Sequence, residues 1–393
     1  AIYFHPDVAV ARAEWDVARA AETTAARRLN PGVSPEIAYH GDQNPGEDGP
    51  WSLGFAIDIP LVTGDVREAR MERARALSEA ARLAIADAAW RVRARLRARF
   101  VACHGAERAI VVLDAVAAAR REVTTLFETR YAMGEASAAE MHRARTRLGE
   151  AELALTAGGG RVHTARAELA EALGLPVEAV DRLALAYAAL DALGLNLAGD
   201  AVRRAALLNR LDLRAALARY AAAEAALRVE IERQYPTVTL SPGWAFDQGD
   251  LVWSLASDLL APLFDRNQGP IAEAEARRTL VATRFTALQT RVLSELNRAV
   301  AHHRAQASAW RTAEEARVGA ADRFAQVSRQ VAHGESGRLT LVEARLTLLA
   351  AELAVLEQRL GLLRAWGAVE DAVQRPLDGT PFPANLEAPA RSS

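Results

Sequence analysis

Apolar residues fall into a heptad over the last part of the chain. Leu339, Val342, Leu346, Leu349, Leu353, Leu356, Leu360 and Leu363 recur at alternating spacings of three and four, the pattern of a coiled-coil seam. A second stripe, Leu341, Ala344, Leu348, Ala351, Val355, Gln358, Leu362 and Ala365, lies at the c and f positions, on roughly the opposite side. A helix with two opposed apolar seams needs a neighbour on each side, as in the wall of a helical tube. An earlier helix has one clear seam: Met141, Ala144, Leu148, Ala151, Leu155, Gly158, Val162, Ala165 and Leu169. Its far side (His142, Thr146, Gly149, Leu153) is weak, and Gly158-Gly159-Gly160 is expected to soften it. A solvent-exposed antiparallel bundle is the plainer alternative.

Elsewhere the period changes to two. Leu251, Trp253 and Leu255 alternate with Val252, Ser254 and Ala256, which reads as a strand with one apolar face. This stretch belongs to a plan that occurs twice. Asp7 to Arg28 reads as a helix that ends at Asn30-Pro31, and Asp212 to Glu232 as one that ends at Tyr235-Pro236. A β-hairpin follows each, over 34–59 around a polar turn (residues 41–50) and over 237–259 around Asp247-Gln248-Gly249-Asp250. Each hairpin leads to a proline corner, Ile59-Pro60-Leu61-Val62-Thr63-Gly64 or Ala261-Pro262-Leu263-Phe264-Asp265-Arg266. From each corner runs a helix of roughly 66 residues, on the order of 100 Å at helical rise. A glycine turn and a returning helix complete each copy. The first repeat thus spans 1–176, with a helical hairpin over 65–173 and its tip at 131–137. A connector covers 177–200. The second repeat spans 201–377, with a helical hairpin over 267–373 and its tip at 331–337, and a tail covers 378–393. The shared order of corners and turns predicts an internal duplication.

Composition narrows the function. The 393 residues are 51% hydrophobic and 25% charged, with a net charge of −2, which argues against a nucleic-acid partner. All 48 basic residues are Arg, and Ala makes up roughly a fifth of the chain, well above the usual share; both favour helix. The single Cys rules out a disulfide framework, and Cys103 reads as a small buried residue. His302-His303 are adjacent and His40, His142, His163 and His333 scattered, so neither a metal site nor a cofactor is expected. No nucleophile–base pattern, phosphate loop or dinucleotide fingerprint occurs, so no enzyme is expected. No run of about 18 uncharged apolar residues exists. Strands of about 10 residues could still span an outer membrane, with Trp51, Trp244 and Trp253 in an interfacial girdle. Four strands cannot close a barrel there and open edges are not tolerated in lipid, whereas three chains would bring twelve. A small soluble sheet capping a helical bundle is the competing reading.

The repeated plan, the proline corners and the glycine turns resemble the TolC-like outer membrane factors over about residues 5 to 377. The segment Pro262-Leu263-Phe264-Asp265-Arg266-Asn267-Gln268-Gly269-Pro270-Ile271-Ala272-Glu273-Ala274 is most similar to the CzcC-type heavy-metal branch. The helix before His5-Pro6-Asp7 is shorter than is usual there, and a lipidated N-terminal Cys is absent.

The resemblance implies a mainly α fold with a small β part. Long antiparallel coiled-coil hairpins would form an α-barrel, and four strands per chain would join a trimeric twelve-stranded transmembrane β-barrel in the outer membrane of a Gram-negative bacterium. It implies an exit duct that passively conducts cargo, here divalent metal cations. The partners would be a periplasmic adaptor (membrane fusion protein), an inner-membrane pump of the RND type and outer-membrane lipid. The docking tips would be Tyr131, Met133, Gly134, Glu135, Ala136 and Ser137, with Val331, His333, Gly334, Glu335, Ser336 and Gly337. Glu343 falls where family members carry a pore acid; Thr340 stands at the other such position, and Glu140 and Arg143 match them in copy one. A threefold ring of Glu343 and an Arg143–Glu343 bridge between neighbours would form the gate. A drug-efflux or type I secretion duct stays open as an alternative. So does a soluble periplasmic scaffold or adaptor, although adaptors carry one hairpin between β-rich domains.

Overall fold

The computed structural model describes residues 2–41, 50–61, 64–191, 204, 206–247, 249–259, 265–377 and 382. Much of the polar turn at 41–50, Val62-Thr63 of the first proline corner, 261–264 of the second, most of the connector's second half and nearly all of the tail lie outside the described residues. Copy one contains α1 (Pro6–Ala25), β1 (Gly32–Tyr39), β2 (Trp51–Leu61), α2 (Val66–Ala132) and α3 (Ala138–Leu173). Short helices α4 (Val177–Asp181) and α5 (Ala188–Asp191) follow. Copy two contains α6 (Leu211–Glu232), β3 (Val238–Asp247), β4 (Asp250–Leu259), α7 (Gln268–Ala332) and α8 (Arg338–Val373). The long helices have 67 and 65 residues, and the returning helices 36 each.

The chain divides into two compact units, the first made of Ala1–Val10, Ala86–Arg210 and Thr290–Ser393, the second of Ala11–Ile85 and Leu211–Gln289. In the second unit the strands form one antiparallel sheet in the order β1-β2-β3-β4. Alternation of side chains sorts the strands into two faces. The register aligns Tyr39 with Trp51, Ile37 with Leu53 and Val33 with Ile57. It continues through Leu53 with Phe246, Phe55 with Trp244 and Ile59 with Leu240, then Phe246 with Leu251, Trp244 with Trp253 and Pro242 with Leu255. One face is therefore almost wholly apolar and stands open: Trp253 is 76% and Leu255 73% exposed. The other carries small residues and Glu36, Asp58, Asp247, Asp250 and Asp258, with the Ser34 and Ser241 hydroxyls donating to Asp58. The strands contain no basic residue. Beneath the sheet, Val66, Ala69 and Val229 form a small core between α2 and α6, and Asn267 Nδ2 donates to the Glu230 carbonyl at 2.7 Å.

In the first unit, α8 buries Val342, Leu346 and Leu349 against Ala119 and Val123 of α2 and Ala144 of α3. The opposed stripe is buried at Ala344, Leu362 and Ala365 and half-buried at Leu341, Leu348, Ala351, Val355 and Gln358. On α3 the single seam is buried at Met141, Ala144, Ala151, Gly158, Ala165 and Leu169, while Leu153 on its far side is 71% exposed. The glycine triplet does not break this helix. A Cβ on Gly158 would lie 2.9 Å from Leu113 Cδ1, so the missing side chain lets α3 approach α2. Farther along, Glu370 is 2% exposed and faces Arg93 at 3.0 Å and Arg97, while Arg97 also reaches Asp371 at 2.6 Å. Cys103 is buried, and its Sγ lies 3.6 Å from the Tyr187 hydroxyl. Burial pushes its thiol above the ordinary value, which keeps it protonated and inert. Among the described residues no helix is long and apolar enough to cross a membrane.

Candidate functional site

The two glycine turns are built alike. In the first, Gly134 adopts φ +76, its N–H donates to the Tyr131 carbonyl at 3.0 Å, and the Glu135 N–H reaches the Arg130 carbonyl at 2.8 Å. In the second, Gly334 adopts φ +76, with Gly334 to Val331 at 3.0 Å and Glu335 to Gln330 at 2.8 Å. These bonds satisfy carbonyls that the helix end leaves open. No atom lies within 4 Å of where a Cβ would sit on either glycine, so the left-handed backbone alone selects glycine there. Tyr131 and Met133 are 45% and 60% exposed, and His333 and Glu335 are exposed on the second tip.

The copies differ one residue before the returning helix. Ser137 caps α3: its hydroxyl accepts from the Glu140 N–H at 3.2 Å, and Glu140 Oε2 accepts from the Ser137 N–H at 2.8 Å. This capping box holds the Glu140 carboxyl below its ordinary value, first through the Ser137 backbone and then through its side chain. At the matching position Gly337 has no side-chain bond to offer α8. Ala136 and Ser336 are half-buried beside these caps.

Behind the tips α2, α3 and α8 enclose a cavity of about 570 Å³. Glu140, Arg143 and Glu343 all line it, together with Arg120, Arg147, Phe127 and Thr347. Thr340 does not. Burial and the nearby Arg147 lower the Arg120 guanidinium from its ordinary value, and Glu150 and Glu343 oppose that shift. Arg143 Nε donates to the Ala139 carbonyl at 3.3 Å. Neither Arg143 nor Glu343 has a salt-bridge partner among the described residues. Sequence reasoning missed Arg120 and Arg147. Arg147 stands one turn from Arg143 on the same helix face, a signal that was available; Arg120 is brought in by helix register. Among the described residues no group of three or more His, Cys, Asp or Glu is placed to hold a metal ion.

Comparison with known proteins supplies the context. The model of the outer membrane efflux protein family matches residues 1–175 and 202–373. The structure of the outer-membrane channel OprN is 21% identical with a TM-score of 0.75, covering 93% of this chain and 86% of that one. The outer membrane protein VceC from Vibrio cholerae is 18% identical with a TM-score of 0.72, covering 94% and 92%. CusC is 15% identical with a TM-score of 0.74, covering 94% and 89%. At these identities the likeness concerns the fold. No curated protein matches the chain. The two family matches coincide with the two copies of the plan, and the sheet presents an apolar face. This is an outer-membrane protein with a long periplasmic helical part, not an enzyme, and the chain belongs to the outer membrane efflux protein family.

Proposed function

We propose that the chain is the exit duct of a tripartite efflux system. Three copies would close their four-stranded sheets into a twelve-stranded barrel, continuous with an α-barrel through which cargo diffuses. The carrying observation is the sheet itself, with one apolar face standing open and unpaired edges at β1 and β4. Bare edges cannot persist in lipid, and pairing β4 of one copy with β1 of the next removes them. An inner-membrane pump of the RND type would drive export, and a periplasmic adaptor would dock on Tyr131, Met133, Gly134, Glu135, Ala136, Ser137 and their counterparts Val331, His333, Gly334, Glu335, Ser336 and Gly337.

The cargo proposed is a divalent metal cation. The polar face of the sheet supports this, because its charged strand residues are all carboxylates. A ring of Glu343 would add a cation-attracting constriction near the tips. Arg143 and Glu343 line one cavity and have no ion pair among the described residues, which fits a bridge to the neighbouring copy that holds the tip shut. Glu140 is committed to its cap, and Thr340 lies outside the cavity.

Two measurements test the proposal. Light scattering of the detergent-purified protein, corrected for bound detergent, should give a trimer; a detergent-free monomer would return the soluble scaffold. In planar bilayers, Glu343→Gln and Arg143→Gln should each raise leak conductance. Unchanged conductance in both would sink the gate, and an anion-selective reversal potential in the parent channel would sink the cation cargo.

A further inference from the structure

We propose that the second unit binds an anionic glycerophospholipid where its helices meet its strands. A cavity of about 580 Å³ lies there, lined by Arg27, Arg28, Arg67 and Arg70. Arg27 and Arg28 stand just before β1, and Arg67 and Arg70 lie in the first turns of α2. None of the four forms a salt bridge among the described residues. Arg67 Nε is occupied by the Ala26 carbonyl at 2.8 Å, and Arg70 Nε points to the Val66 carbonyl at 3.4 Å, which leaves both guanidinium ends free. Glu232 Oε2 accepts from the Asp65 N–H at 3.0 Å, and neither Glu232, Asp65 nor Glu68 forms a salt bridge with the four arginines among the described residues. Four guanidinium groups without a salt bridge among the described residues give this cavity a positive potential that an anion would lower.

The other wall selects what that anion carries. Ile57, Ile59 and Leu61 line the same cavity. They share the apolar face of β2 and are 39%, 40% and 42% exposed. A phosphodiester matches guanidinium forks in geometry and charge, and an acyl chain matches the strand face. A free phosphate would use only the arginines; a zwitterionic lipid would bring a cation among them. The position agrees with a headgroup, since the arginines flank the strand ends while the apolar residues run into the strand. This rests on the reading above that the apolar face meets lipid, and it adds a specific site to it.

The test is native mass spectrometry of the detergent-purified protein, titrated separately with phosphatidylglycerol, phosphatidylcholine and inorganic phosphate. Phosphatidylglycerol should be retained at least tenfold better than phosphatidylcholine, and millimolar phosphate should not displace it. The triple variant Arg27→Gln, Arg28→Gln, Arg67→Gln should lose that preference, while lysine at the same three positions keeps part of it. Equal retention of the two lipids would overturn the site and leave the membrane reading intact. Displacement by free phosphate would overturn the lipid and leave an anion site. Failure to hold any lipid or detergent would overturn the membrane reading itself. Should the glutamine variant not assemble, the wild-type preference and its loss in high salt decide the matter.

Discussion

Leu255 offers a perturbation whose magnitude depends on what surrounds the sheet. It is the sixth of ten residues in β4, aligned with Pro242 on the apolar face and 73% exposed. In a strand tilted about 45°, ten residues cover about 24 Å of membrane depth, so Leu255 sits within a few ångströms of the midplane. Arginine on the lipid face at that depth costs about 2–4 kcal/mol, or about 6–12 kcal/mol across a trimer. Ser254 is its neighbour on the polar face, aligned with Gly243, where arginine should cost little. If the sheet were instead a cap in water, Leu255→Arg would change a solvent-exposed position and shift stability by no more than about 0.5 kcal/mol. The assay is refolding from urea into short-chain phosphocholine vesicles, followed by tryptophan fluorescence against urea concentration. Leu255→Arg should refold poorly or shift the midpoint strongly, and Ser254→Arg should behave like the parent. Equal behaviour of the two variants, in either direction, would refute the assignment of faces.

Three further outcomes follow from the helical unit. Because Glu140 titrates below its ordinary value of 4.5, the stability it lends is complete above that pH and is lost as pH falls through the lowered value; the protection of the Ser137 and Glu140 amides, measured against their intrinsic exchange rates, should therefore fall only in acid, while the protection at the Gly337 turn shows no such change. Glu370→Gln removes a carboxylate 2% exposed between Arg93 and Arg97 and should cost about 3 kcal/mol in denaturant titration; a loss below about 1 kcal/mol would mean that the pair contributes little. Gly158→Leu should destabilise by about 1–3 kcal/mol through contact with Leu113, whereas Gly160→Ala, which meets nothing within 4 Å, should stabilise by up to about 1 kcal/mol; the same sign for both would refute the close-packing argument.

The sequence exposes these features unevenly, for a physical reason. The strand faces were readable because alternation is local: Leu251, Trp253 and Leu255 declare one side without knowledge of their partners. The turns were readable because a left-handed backbone asks for glycine wherever the rest of the chain lies. Both stripes of α8 were readable for the same reason, since each is a property of one helix. The Glu370–Arg93–Arg97 cluster was not readable. It joins residues more than 270 positions apart, and a buried acid inside an amphipathic helix looks in sequence like a solvated one. Arg120 escaped for a related reason, since only the register of α2 against α3 brings it toward Arg147. The close approach at Gly158 was not readable, because a glycine inside a helix carries the same letter whether it weakens the helix or admits a neighbour.

The duplication also argues that the copies have divided their roles. A duplicated plan supplies two turns with the same backbone bonds, and the copies match there almost distance for distance. They part at the caps and on the returning helices. The first tip is fastened by a serine–glutamate box; the second has glycine at the cap and threonine where the glutamate would stand. Glycine in place of serine at an N-cap costs only a few tenths of a kcal/mol, about twofold or less in the population of an opened first turn. The uncapped helix is also the one covered on both its stripes, while α3 leaves its far side in solvent. The second copy therefore combines the more deeply embedded helix body with the more easily opened first turn. A body held by packing on two sides resists displacement as a whole, so a partner acting on this tip would change its first turn before the rest. Glu343 lies just beyond that turn, on the wall of the charged cavity, and is the first acid that such a change would move.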